Sequence, residues 1–193
     1  MLQVSDVEIE NRLRFDNPWW VAGAGIEPDH ASLPRRAYLG SFLRLVRQAE
    51  VNRAVVLLGP RRVGKTVLVY HSIQALLDEG ASGRDIVYVS LETPIFTGLT
   101  LDGLVKRFRG LFGHPTNTRL YVFFDEVQYL HDWQVHLKSL VDDHRDCRFV
   151  ATGSASAALR TQSAESGAGR FTDFQLPPLT FAEYLRFIDR EAE

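Results

Sequence analysis

The chain has 193 residues, with 22 Lys plus Arg against 24 Asp plus Glu and a formal charge of −2. That length suits one domain with a short appendage, and 45% apolar with 24% charged residues excludes disorder as the dominant state, since enough apolar surface is present to offset chain entropy. No run approaches the ~18 apolar residues of a spanning helix, the start Met1-Leu2-Gln3-Val4 lacks the pattern of a secretory signal, and the single Cys147 excludes an intrachain disulfide or a Cys-rich zinc site.

The expectation is therefore a cytoplasmic protein without membrane association, and a charge near zero gives no global attraction to nucleic acid. Residues 1–34 read as irregular, around Asn17-Pro18-Trp19-Trp20. Leu39, Phe42, Leu43 and Val46 recur at helical spacing and predict an amphipathic helix over about residues 35–50. Residues 1–50 are read as an N-terminal segment and helix packing on a core formed by 51–193. Ala54-Val55-Val56-Leu57-Leu58 is a continuous apolar run, as in a strand buried on both faces of a parallel sheet. A glycine-bounded break at 59–64 follows, then a helix with Val69, Ile73, Leu76 and Leu77 on one face, stopped near Gly80.

Further strands are predicted at 85–91, 120–124 and 148–152, with a fifth at 170–176 ended by Pro177-Pro178. Helices fall between them, marked by Leu101, Leu104, Val105, Phe108 and Phe112, and by Leu130, Trp133, Leu137, Leu140 and Val141. Residues 155–169 are rich in Ser, Ala and Gly and read as a loop with a helical turn or two. Thr180 and Glu183 have capping-box spacing and open a last helix, with Phe181, Tyr184, Leu185 and Ile188 on one side. Regular alternation of strand and helix predicts an α/β fold, a parallel sheet with helices on both faces.

The strongest motif is Gly59-Pro60-Arg61-Arg62-Val63-Gly64-Lys65-Thr66, followed by Val67, which fits G-x-x-x-x-G-K-[ST]. This chain's own residue frequencies give roughly 0.002 chance matches over its length. Glycines let backbone N–H groups turn toward a triphosphate, and the positive end of the following helix adds to that field. Lys65 supplies a full charge to the β- and γ-phosphates, and the Thr66 hydroxyl is placed to ligate Mg²⁺. The bland alternative is a glycine-bounded turn with a surface lysine.

Asp125 and Glu126 end the apolar strand Leu120–Phe124 at its carboxyl end, the edge at which open α/β sheets bind ligands. Asp125 has the position to hold Mg²⁺, and Glu126 to orient and polarise an attacking water. Two like charges side by side are costly unless a cation sits between them.

Weaker candidates follow. Thr152-Gly153-Ser154 ends the fourth strand, and either hydroxyl could read the γ-phosphate or hold the water, or the segment is a polar turn. Arg170 could stabilise phosphate charge in its own active site or a neighbour's, or be a solvated arginine. Trp19-Trp20 reads first as an anchor for the N-terminal segment, with packing beside the base as the alternative. Lys106, Arg107 and Arg109 read as a solvated helix face. The six histidines lack H-E-x-x-H spacing and are assigned no metal.

Together, Asn17–Trp20, Gly59–Thr66, Tyr88–Leu91, Asp125–Gln128 with Trp133, Thr152–Ser154, Gly169-Arg170 and Pro178–Tyr184 resemble a P-loop ATPase of the AAA superfamily. More narrowly, the chain is similar to the N-terminal AAA domain of a large group of mostly uncharacterised bacterial and archaeal ATP-binding proteins. The resemblance implies a sheet order of 5-1-4-3-2, Lys65 and Thr66 on phosphate and Mg²⁺, Asp125 as the metal-site acid and Glu126 as catalytic base. It also implies a first-sensor role near Thr152 or Ser154. Relatives of this kind continue into a second domain, often described as nuclease-like, and AAA proteins usually carry a helical lid. Neither is expected within Met1–Glu193, either because both were removed or because this is a reduced form.

The reading is thus an ATP-hydrolysing domain using Mg²⁺. ATP is favoured over GTP by the resemblance, and no Asn-Lys-x-Asp segment for guanine is present. Expected partners are ATP, a second copy of the chain and a further protein, with nucleic acid entering only by analogy through an appended domain. The rival readings are a nucleotide-gated switch with little turnover and a small-molecule phosphotransferase.

Overall fold

A computed structural model describes residues 5–48, 50–153 and 169–188. The strands are β1 (Ala54–Leu58), β2 (Ile86–Ser90), β3 (Leu120–Asp125), β4 (Cys147–Gly153) and β5 (Phe171–Gln175). They form one all-parallel sheet in the order β2-β3-β4-β1-β5. This is the expected 5-1-4-3-2 order read from the other edge. β1 and β4 are buried along their whole length because each has a strand on either side and helices over the sheet, which is why their sequences are nearly continuous apolar runs.

The helices are α1 (Asp6–Asp16), α2 (Pro28–Ala31), α3 (Leu39–Arg47), α4 (Lys65–Asp78), α5 (Leu101–Phe112), α6 (Trp133–Asp143) and α7 (Phe181–Phe187). α3 packs on α4 and α5 on α6. α3 buries Leu39, Phe42, Leu43 and Val46, the stripe that predicted it. No helix among the described residues is long and apolar enough to cross a membrane.

The irregular reading of residues 1–34 is corrected by α1. Its periodic signal is weak because it buries only Ile9 and Leu13, one turn apart. The legible signal was the cap: Ser5 Oγ accepts from Glu8 N at 3.2 Å and Ser5 N donates to Glu8 Oε2 at 2.8 Å, a reciprocal capping box.

The residues after α1 close the free edge of β2, which would otherwise present unpaired backbone groups. Asn17 acts as a one-residue strand. Its Nδ2 donates to Tyr88 O at 2.9 Å, and Tyr88 N donates to its Oδ1 at 2.6 Å. Trp19 and Trp20 both donate their indole N–H to Ile86 O, at 3.1 and 2.7 Å. Trp20 also stacks on Phe108, with centroids 5.6 Å apart. The tryptophans therefore anchor this segment. They sit at the amino end of β2, so the alternative of packing beside a base bound at the carboxyl edge is set aside.

The last helix also differs from expectation. Phe181, Tyr184 and Ile188 are exposed, whereas Glu183 is buried at 3% exposure. Apolar spacing suggested the wrong inner face, because here a charged pair rather than a hydrophobic stripe docks the helix.

Candidate functional site

The phosphate-loop segment joins the carboxyl end of β1 to the start of α4. Gly59 lies so close to the chain after β5 that a Cβ there would stand 2.6 Å from Leu176 O. Gly64 has φ +92°, and Arg62 also adopts a left-handed conformation at φ 62°, so the loop folds back tightly before the helix begins. The N–H groups of the first turn of α4 have no partners inside the helix.

Lys65 is buried at 5% exposure, and its Nζ donates to Gly59 O at 3.1 Å and Pro60 O at 3.0 Å. Burial pulls its pKa below the ordinary lysine value, while the nearby Glu126 and Asp125 carboxylates act in the opposite sense. Both acids therefore act on this one ammonium group. Of the other loop positions, Pro60, Arg61 and Arg62 are exposed, and Val63, Gly64, Thr66 and Val67 are half-buried.

Asp125 is 2% exposed and accepts from three hydroxyls. Thr66 Oγ1 and Tyr88 Oη each donate to its Oδ2 at 2.8 Å. Thr152 Oγ1 donates to its Oδ1. The same Thr152 oxygen accepts from Glu126 N at 3.2 Å. Glu126 is left-handed, with φ 56°. It turns the chain at the end of β3 where strict alternation would send successive side chains to opposite faces, and its Oε2 accepts from Gln128 Nε2.

Sequence reasoning placed Lys65, Thr66, Asp125, Glu126 and Thr152 in this region, and the structure brings them together. It missed Tyr88 and Gln128 as partners of the two acids. Tyr88 was legible only as a polar-tipped residue inside an apolar strand. Burial and the adjacent Asp125 push its phenol pKa well above the ordinary tyrosine value, so it stays a proton donor. Thr152 differs from expectation, since its hydroxyl proton is already committed to Asp125. Ser154 lies outside the described residues.

Arg170 is corrected as a residue of its own site. β5 runs beside β1 with Phe171 opposite Ala54 and Gln175 opposite Leu58. Arg170 thus stands at the amino edge, where Ala54 N donates to its carbonyl at 2.9 Å and its Nε pairs with Asp142 Oδ1 at 2.5 Å. The phosphate loop is a full strand away, beyond the reach of the side chain. Lys106 and Arg107 pair with Asp102 and Asp6, at 2.6 Å each.

A cavity of about 310 Å³ opens beside the loop, lined by Arg36, Pro60–Gly64, Pro178 and Leu179. A larger cleft of about 440 Å³ lies between Trp19–Gly25 and the end of α4, away from these charges.

The chain belongs to the AAA domain family, whose model matches residues 51–185. Among curated proteins it is similar to the uncharacterized protein MJ1544 of Methanocaldococcus jannaschii, 29% identical over 136 residues, covering 70% of this chain and 29% of the relative. An uncharacterized protein of Haemophilus influenzae is 26% identical over 159 residues, covering 80% and 38%. The chain thus spans less than two fifths of the length of these relatives. Among solved structures, a chain of the S. cerevisiae Hsp104:casein complex superposes with a TM-score of 0.56 at 15% identity, over 84% of this chain and 30% of that one. A DNA replication initiation factor gives 0.51 at 14% identity, over 84% and 53%. These likenesses concern the fold alone. Family and fold together mark the chain as an AAA-type P-loop domain with a nucleotide-binding architecture.

Proposed function

We propose that this domain binds Mg-ATP at the carboxyl edge of the sheet and hydrolyses it. The observation that carries the reading is the Thr66 hydroxyl at the start of α4 paired with the buried Asp125, next to the buried Lys65 folded onto the Gly59 and Pro60 carbonyls. The residues fit a triphosphate: a helix start whose first N–H groups have no partners inside the helix, a buried ammonium group on two carbonyls, and a hydroxyl already paired with a carboxylate. Thr66 and Asp125 would hold a Mg²⁺ ion, which when bound would supply neutralisation of the charge on the phosphate oxygens.

Each chain residue then has a task. Lys65 exchanges the Gly59 and Pro60 carbonyls for phosphate oxygens, which are stronger acceptors. The residues Gly59–Val67 wrap the phosphates, and the adjacent cavity has room for base and sugar. Thr66 and Asp125 face the cation site together, and Tyr88 and Thr152 fix the Asp125 carboxylate. Glu126 accepts a proton from the attacking water, with its approach set by the Thr152 and Gln128 contacts. Ser154, outside the described residues, keeps the expectation of reading the γ-phosphate or holding the attacking water.

Arg170 enters only in a homo-oligomer, where the exposed amino edge of one copy would meet a neighbour's site. In longer proteins of this kind the cycle would drive an appended domain or protein partner, with nucleic acid entering only through such a part.

The reading is tested by titrating ATP into wild type and Lys65→Ala. Loss of a charge-assisted contact worth about 1.5–3 kcal/mol should lower affinity about tenfold or more, with the fold intact. Wild-type affinity in the variant would remove the loop assignment. Phosphate release without any added acceptor separates hydrolysis from transfer to a small molecule.

A further inference from the structure

Arg36, in the segment before α3, is 6% exposed, and each of its guanidinium nitrogens is engaged. Nε donates to Glu183 Oε1 at 2.8 Å, and Nη2 to Glu183 Oε2 at 3.1 Å and Pro177 O at 3.0 Å. Nη1 donates to Val63 O at 2.7 Å, inside the phosphate-loop motif. Glu183 is itself fixed, accepting from Ala37 N at 2.9 Å and Thr180 N at 3.2 Å. An ion pair this buried returns little net stability, because desolvating the two charges offsets their attraction. Its geometry is more informative. Only a planar fork can satisfy a carboxylate on one side and aim a third donor at a carbonyl, and a lysine cannot.

The Val63–Gly64 peptide is trans, as are all those described. In a trans peptide the C=O and the N–H point in opposite directions. Drawing Val63 O toward Arg36 therefore turns Gly64 N–H to the far side, where it makes no hydrogen bond among the described residues. Gly64 accepts this orientation because its φ of +92° carries no side-chain penalty.

We propose that Arg36 is a positioning residue for the phosphate loop: through Val63 O it presents Gly64 N–H to a bound phosphate, and Glu183 holds it in that pose. The inference rests on the reading of Gly59–Thr66 as a phosphate site.

The test titrates ATP into wild type, Arg36→Lys and the double variant Arg36→Met/Glu183→Met, which removes both charges together and leaves neither buried alone. The Gly64 amide resonance is recorded in each nucleotide-free protein. The expected result is folded variants with ATP affinity about tenfold lower or more and a displaced Gly64 resonance. Variants that keep wild-type ATP affinity and an unmoved Gly64 resonance, whatever their melting temperature, would show a merely structural pair and overturn the proposal. Arg36→Lys decides the matter alone should the double variant not fold. Absence of ATP binding by wild type is a different outcome: it removes the phosphate-site reading and the inference with it.

Discussion

Thr66 and Asp125, 59 residues apart in sequence, share a 2.8 Å hydrogen bond in which the threonine hydroxyl donates to Asp125 Oδ2. The bond joins the first turn of α4 to the end of β3. It sets a hydroxyl beside a carboxylate, the oxygen donors that suit Mg²⁺. Asp125→Asn replaces one acceptor oxygen with a donor and removes the charge. ATP affinity without Mg²⁺ should stay within about threefold of wild type, while the gain on adding Mg²⁺ should shrink by about tenfold or more. Calorimetry with and without Mg²⁺ checks this, and an unchanged Mg²⁺ gain counts against Asp125 as the metal-site acid.

Among the described residues, Asn17 is the sole side chain pairing with both backbone groups of Tyr88 at the outer edge of β2. Asn17→Ala leaves a buried N–H and C=O without these partners. The expected loss is about 2–6 kcal/mol of unfolding free energy, at about 1–3 kcal/mol for each orphaned group. Urea unfolding measures it, and a loss below about 0.5 kcal/mol would mean that the edge is satisfied another way.

Burial alone would raise the pKa of Glu183, but its bonds to Arg36, Ala37 and Thr180 outweigh it and hold the carboxyl at about 2, against 4.5 ordinarily. A carboxyl whose pKa is lowered by folding contributes stability that is fully present above its unfolded value and lost as pH falls through the folded one. The stability gap between wild type and Glu183→Gln should therefore be constant above pH 4.5 and narrow as pH falls toward 2. Denaturant unfolding across that range tests it, and a gap independent of pH contradicts the ion pair.

Arg170 and Asp142 form a half-exposed pair at the amino edge of the sheet. Arg170→Ala should leave ATP affinity unchanged and cost about 0–1 kcal/mol of stability. If a second copy supplies this arginine, the variant should also hydrolyse ATP more slowly, and mixing it with Glu126→Gln should restore part of the rate. Normal turnover by Arg170→Ala makes it a surface arginine.

The sheet and the central charges were legible because each left a local signature. Buried parallel strands wrote continuous apolar runs such as Ala54–Leu58, and Gly59–Thr66 must provide both glycines and the lysine at fixed spacing. Contacts between distant polar residues left none. Arg36 and Glu183 stand 147 residues apart, and nothing local marks either as buried. α7 was misread for the same reason: its exposed Phe181, Tyr184 and Ile188 look like a core face until the Glu183 pair shows which side docks. α1 was missed because two buried positions make no stripe, although Ser5 and Glu8 carried the capping signal. The position of Arg170 depends on strand register, which the order of elements alone does not specify.

The most direct test of the account is phosphate release under saturating Mg-ATP by wild type and Glu126→Gln, each with its measured Mg-ATP affinity. Glu126→Gln keeps the shape and a hydrogen-bonding oxygen but removes the base, and a positioned general base contributes about 10²–10⁴-fold. The account predicts affinity within about threefold of wild type and phosphate release slower by about two orders of magnitude or more. Equal turnover by the two proteins would show that Glu126 is not the base. No phosphate release by wild type, even as part of the full-length protein with its partners, would replace hydrolysis with a nucleotide-gated switch.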